Sequence, residues 1–155
     1  MACLKCKVNI PSTPLTPNVP KTIGQLKAPA NQRLKILGFS LTFNGSTAQL
    51  PIQIRFLRQS SAGTSLVAAT PVPIEEGIPE TPQATAQVGS QTTQTEPSNT
   101  AVLKTVFLPG YSGEEYLETP GNEDQVKGGG YYGIEATNPT GNATISVAGH
   151  ILYEE

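Results

Sequence analysis

The chain has 155 residues, a formal net charge of -2, only 14% charged residues, 15 Gly, 14 Pro and no Trp. That length supports one domain with a core of its own, and the low charge with abundant Gly and Pro excludes the composition of a helical bundle and favours a loop-rich β protein. Nine residues are Phe or Tyr, so the expected core is modest and largely aliphatic.

No run of 18 apolar residues and no apolar signal core near the N-terminus is present, so neither a membrane span nor a secretory signal is expected, and synthesis in a cytoplasm is. Charge is divided unevenly. Residues 1–35 carry six Lys or Arg and no acid, whereas residues 36–155 carry four basic and twelve acidic residues, giving +6 and -8.

In chain order, residues 1–33 read as an extended basic arm. Pro11, Pro14, Pro17, Pro20 and Pro29 exclude helix and favour extended or polyproline-like backbone. The scattered Val8, Ile10, Leu15, Val19, Ile23 and Leu26 suit shallow grooves on a partner better than a core of their own. Strand patterning begins in "LKILGFSLTF", where Leu37, Phe39, Leu41 and Phe43 alternate with Gly38, Ser40 and Thr42. Asn44-Gly45 supplies a turn pair, and "PIQIRFLRQ" forms a second strand with Ile52, Ile54 and Phe56 on one face.

Residues 59–100 form a long Ser/Thr/Gln/Pro-rich excursion with no sustained period, in which short strands are expected near Leu66–Ala69 and Thr85–Val88. Alternation returns in "AVLKTVFLP", followed by an acidic loop with Glu114, Glu115, Glu118, Glu123 and Asp124. "YYGIEAT", the turn "NPTGN" and "ATISVAGHILYEE" close the chain as a hairpin in which Ile145, Val147, Ile151 and Tyr153 share a face. The expected fold is all-β: an antiparallel β-sandwich or jelly-roll-like domain over 34–155, carrying the arm of residues 1–33.

Few residues nominate chemistry. The run Gly128-Gly129-Gly130 resembles a phosphate loop, but such a loop precedes a helix N-terminus and is followed by Lys, whereas here Lys127 precedes the glycines and a strand follows. "CLKC" offers two thiols, and His150 lies at the far end of the chain, short of a four-ligand zinc set. His150 has no nucleophile motif to serve, and the acidic run lacks the order of a calcium loop. No enzyme activity, cofactor or metal is therefore expected. The basic residues are spread along 35 positions without interleaved aromatics, which favours docking on an acidic protein surface over nucleic-acid binding.

The order of features resembles the capsid decoration or cement proteins of tailed bacteriophages: an N-terminal arm, "LKILGFSLTF", "PIQIRFLRQSSAGT", an excursion ending near "TEPSNT", "KGGGYYGIEATN" and "ATISVAGHILYEE". The resemblance spans the chain by layout and contains no invariant motif. It implies a non-enzymatic structural protein of the virion, bound outside the capsid, bracing neighbouring copies of the major capsid protein, often as a homotrimer. Lys5, Lys7, Lys21, Lys27 and Arg33 are then the expected electrostatic contacts, and Val8, Ile10, Leu15 and Ile23 the apolar ones. Of Tyr131 and Tyr132, which point to opposite faces, one is expected in the core and the other against a neighbouring subunit. The alternative expectation is a virion-borne host-surface or carbohydrate-binding module, with Tyr111, Tyr116, Tyr131 and Tyr132 stacking on sugars.

Overall fold

A computed structural model describes residues 3–89 and 95–155. The strands among them are, in chain order, β1 (Lys5–Leu15), β2 (Pro20–Lys27), β3 (Leu34–Phe43), β4 (Ile52–Gln59), β5 (Val67–Ala69), β6 (Val72–Pro73), β7 (Thr85–Val88), β8 (Asn99–Leu108), β9 (Gly113–Leu117), β10 (Asp124–Val126), β11 (Tyr131–Thr137) and β12 (Ile145–Glu154). One sheet has the order β10-β3-β12-β1-β6, with β9 also on β3, and the other β5-β7-β2-β11-β4-β8. Every ladder between strands is antiparallel.

The pairing follows one rule. β1 pairs with the last strand, β2 with the one before it, β3 with β9 and β10, and β4 with β8. A long antiparallel ribbon has been folded over on itself and rolled into two facing sheets, which is the winding of a jelly roll. The core between the sheets is aliphatic, as composition requires, with an aromatic centre in which Phe39 and Phe56 lie 4.6 Å apart and Phe56 and Tyr132 6.4 Å.

Residues 3–33 are not a separate arm. β1 lies between β12 and β6, and β2 lies between β7 and β11, so each sheet takes an inner strand from this segment. Val8, Ile10, Leu15 and Ile23 are 1%, 2%, 0% and 0% exposed, and no boundary falls at 33/34. The prolines are compatible with strand because β6 pairs only Cys6 and Lys7. Beyond them β1 has an open edge, and a register shift between Ile10 and Thr13 absorbs Pro11.

Bulges also correct the expected alternation of β3. Ile36 pairs with Tyr153 and Gly38 with Leu152, leaving Leu37 as the extra residue, half-buried, while Leu34, Ile36, Phe39, Leu41 and Phe43 are buried. An inserted residue inverts the parity of everything before it, so Leu37 does not share the core face with Phe39.

The final hairpin does not form either, because β11 and β12 lie in different sheets. "NPTGN" is an arch between them, held by its own side chains. Asn138 Nδ2 donates to the Leu15 carbonyl at 3.0 Å, Asn142 Nδ2 donates to Asn138 Oδ1 and the Leu50 carbonyl at 2.9 Å each, and the Leu50 amide donates to Asn142 Oδ1. The excursion supplies β5, β6 and β7, which extend both sheets along the edge made by β1 and β2; its residues 90–94 lie outside the described residues.

Candidate functional site

The glycine run is likewise an arch between sheets, from β10 to β11. The Gly130 amide donates to the Lys127 carbonyl at 2.8 Å, and Gly129 adopts φ 71°, the third-residue conformation of a type II turn that glycine occupies without strain. The Gly129 amide donates to Pro29, so the arch is tied to the β2–β3 connection. Neither amide is free to cradle a phosphate.

What the arch does create is one wall of a cleft of about 560 Å³ at this end of the sandwich. Arg33 enters from the start of β3, Arg58, Gln59 and Ser60 from the end of β4, Thr100 from β8, and Gln125, Lys127 and Tyr131 from either side of the glycines. The lining contains three cations and no carboxylate. Among the described residues none of Arg33, Arg58 or Lys127 forms an ion pair. Arg33 and Tyr131 were legible in the sequence as contact residues. Arg58 and Lys127 were not, because they lie 25 and 94 positions beyond Arg33 in the chain and converge only through the roll.

Of the other expected contact residues, Val8, Ile10, Leu15, Ile23 and Tyr132 are core and unavailable to a partner. Lys21 is 5% exposed, donates to the Pro14 carbonyl at 3.1 Å and has its pKa lowered by burial, against the opposing pull of Glu96. Lys5 and Lys7 stay on the outer face of β1, exposed and half-buried. Lys27 is exposed and lies 5.5 Å from the centre of the Tyr131 ring, its cross-strand neighbour. The four tyrosines do not form one stacking platform: Tyr132 is buried, Tyr116 stacks on Phe39 under Lys104, and Tyr111 lies on the loop between β8 and β9.

A polar layer lies behind the cleft on the outer face of the second sheet. Gln25 Nε2 donates to Gln59 Oε1 at 2.7 Å, Gln59 Nε2 donates to Asn99 Oδ1 at 3.0 Å, and Asn99 Nδ2 donates to Glu135 Oε2 at 3.4 Å. Arg55 Nε donates to Glu135 Oε1 at 2.8 Å, and its Nη2 makes a second contact with the same oxygen. Gly133 makes this possible, because a Cβ there would run into the Gln59 amide. Residues 60–64 and 95–98 pair across this layer, with Gln25 reaching the Ser61 carbonyl and the Thr22 amide reaching Glu96. The Gln- and Ser-rich excursion is therefore partly a lid over a hydrogen-bonded face.

Asp124, at the start of β10, is the carboxylate within electrostatic reach of Arg58. Burial, then Glu118, raises its pKa above the usual 3.8, and Lys104 and Arg58 only partly offset this. A carboxyl whose folded pKa is raised favours folding in its protonated form; that stabilisation is complete below the unfolded pKa and is lost as pH rises through the folded one. Asp124→Asn should therefore match or exceed the wild type in melting temperature at pH 7, with less change between pH 3 and 6. Calorimetry across that range checks it; a clear loss at pH 7 would contradict the sign.

The remaining sequence candidates form no site. Cys6 is buried with its thiol pKa pushed up, Cys3 is exposed, and both are free. Glu114 and Glu115 are exposed, and Glu118 pairs with Lys104 at 3.5 Å. Among the described residues no three His, Cys, Asp or Glu side chains gather as a metal site.

The opposite end of the sandwich carries four of the exposed large apolar residues. Across the second sheet Pro20, Thr137, Gln53 and Phe107 lie in register on β2, β11, β4 and β8. Beside them the loops carry Val19, Leu50 and Tyr111. These four apolar residues, Val19, Leu50, Phe107 and Tyr111, are 50%, 53%, 64% and 49% exposed. Among the described residues β8 is itself an open edge ten residues long, without proline and with Lys104 as its one charge. Comparison with protein families, with curated proteins and with solved structures finds no match for the chain.

Proposed function

We propose that this protein is a non-enzymatic structural component of a virion that binds the outer capsid surface and cements neighbouring major capsid protein subunits. The observation that carries the reading is the end of the sandwich where Val19, Leu50, Phe107 and Tyr111 stand exposed, with Phe107 on the edge strand β8 and Tyr111 on the loop that follows it. Exposed apolar residues gathered on a monomer, next to unpaired backbone, suit a protein partner that supplies both apolar cover and strand pairing. A regular shell offers that partner in many copies, so modest contacts are multiplied, and three copies of the chain on a local three-fold position would engage it together.

The contact surface in this proposal differs from the one the sequence suggested. Lys5, Lys7, Lys27 and Arg33 remain available for charged contacts, whereas Val8, Ile10, Leu15, Ile23 and Tyr132 do not. The test is to incubate the purified protein with capsids assembled without it, at each maturation stage, and to image them. Wild-type protein should decorate, and Leu50→Asp with Phe107→Asp should lower occupancy at least about tenfold while leaving the fold intact, since both side chains are exposed. Failure of the wild type to decorate any stage would end this reading.

A further inference from the structure

The cleft at the other end has a chemistry that the apolar contact does not use. Two guanidinium groups and one ammonium, from Arg33, Arg58 and Lys127, line a single hollow with no carboxylate among its lining. The hydroxyl of Thr100 is already committed to the Arg58 carbonyl at 3.0 Å, and the Gln59 amide to the polar layer behind it. The positive groups are thus the charged donors lining the hollow, beside the Gln125 side chain and the Tyr131 hydroxyl.

The geometry points to a binding site for a polycarboxylate, two or more carboxylates held on one organic body, gripped by Arg33, Arg58 and Lys127 with the body against Tyr131. Three features select that class. Guanidinium forks match carboxylates and phosphates alike, and two of them with a lysine ask for more than one negative group. The backbone amides of Gly129 and Gly130, on which a phosphate loop would rely, are spent inside the fold. The volume of about 560 Å³ is that of an organic ligand site and far exceeds a lone ion. Two sources share this chemistry: a free organic polyacid, and a pair of adjacent acidic side chains on another protein.

The test is an amide-resolved NMR titration of the full chain with citrate, acetyl-Glu-Glu-amide, acetate and inorganic phosphate, at low salt and at about 150 mM salt, where exposed charges are screened over roughly 8 Å. Citrate or the dipeptide should give saturable shifts centred on Arg58, Gln59, Lys127, Gly129 and Gly130, at least about tenfold tighter than acetate and weakened by salt. Saturation by citrate alone assigns a free polyacid; saturation by the dipeptide as well assigns acidic side chains. Arg58→Gln with Lys127→Gln should weaken binding at least about tenfold, whereas Lys5→Gln with Lys7→Gln should not change it. Asp124→Asn, which removes the carboxylate competing for Arg58, should tighten it. The proposal is overturned by shifts that do not saturate or spread equally to Lys5 and Lys7, by phosphate binding more tightly than citrate, or by an unchanged affinity in the Arg58/Lys127 double variant. Because the titration uses the isolated protein, its outcome is separate from capsid decoration.

Discussion

A chain lacking residues 1–33 is expected not to fold. Were those residues an arm, deletion would leave a stable body that no longer docks. They instead supply β1 to one sheet and β2 to the other, and with them Val8, Ile10, Leu15, Ile23 and Leu26, each 2% exposed or less. Burial of five such side chains contributes roughly 8–15 kcal/mol, as large as the entire stability of a typical domain. The open flanks of β11 and β12 would add unpaired backbone to that loss. Circular dichroism and a one-dimensional proton spectrum decide the matter. A cooperative melt and dispersed amide signals from residues 34–155 alone would refute the placement of β1 and β2.

The second large effect is expected at Arg55. Its partner Glu135 has a side chain only 3% exposed, and Arg55 itself is 32% exposed, so the pair is a buried carboxylate neutralised by a half-covered guanidinium. Arg55→Met should cost about 3–5 kcal/mol, because it leaves an uncompensated charge beneath the lid of residues 60–64 and 95–98. Arg55→Met with Glu135→Met should recover most of that loss, since two apolar side chains of similar length need no partner. Urea melts of the two variants measure both steps. Equal losses in the single and double variants would show that the polar layer, rather than the charge pair, is what holds this face.

These two cases show how far the amino-acid pattern could be read. Period-two alternation was legible over Phe39–Phe43 and Ile52–Phe56 because each stretch keeps its core face on one parity, whereas register shifts in β3 and β8 break that parity elsewhere, and the absence of helical periodicity gave the fold class directly. β1 was not legible as a strand because a register shift between Ile10 and Thr13 breaks its parity and prolines occupy its open edge. The two closing strands were legible as strands but not as members of different sheets. An arch stabilised by Asn138 and Asn142 and a hairpin turn draw on the same Asn, Pro and Gly residues. The cleft fared likewise: Arg33 and Tyr131 stood out, but their convergence with Arg58 and Lys127 depends on which strand ends the roll brings together.

By itself, then, the amino-acid sequence determined an all-β domain with an aliphatic core, a cation-rich beginning and one buried tyrosine of the Tyr131–Tyr132 pair, because composition and parity are local properties of the chain. Only the tertiary structure decided that β1 and β2 are inner strands of the two sheets, that "KGGGYY" spans two sheets as the wall of a cationic cleft, and that Val19, Leu50, Phe107 and Tyr111 stand at the far end. The reason is that nearly all pairing in a jelly roll is long-range. β1 meets β12 across the whole length of the chain, and no local pattern encodes which distant strand will cover a given edge.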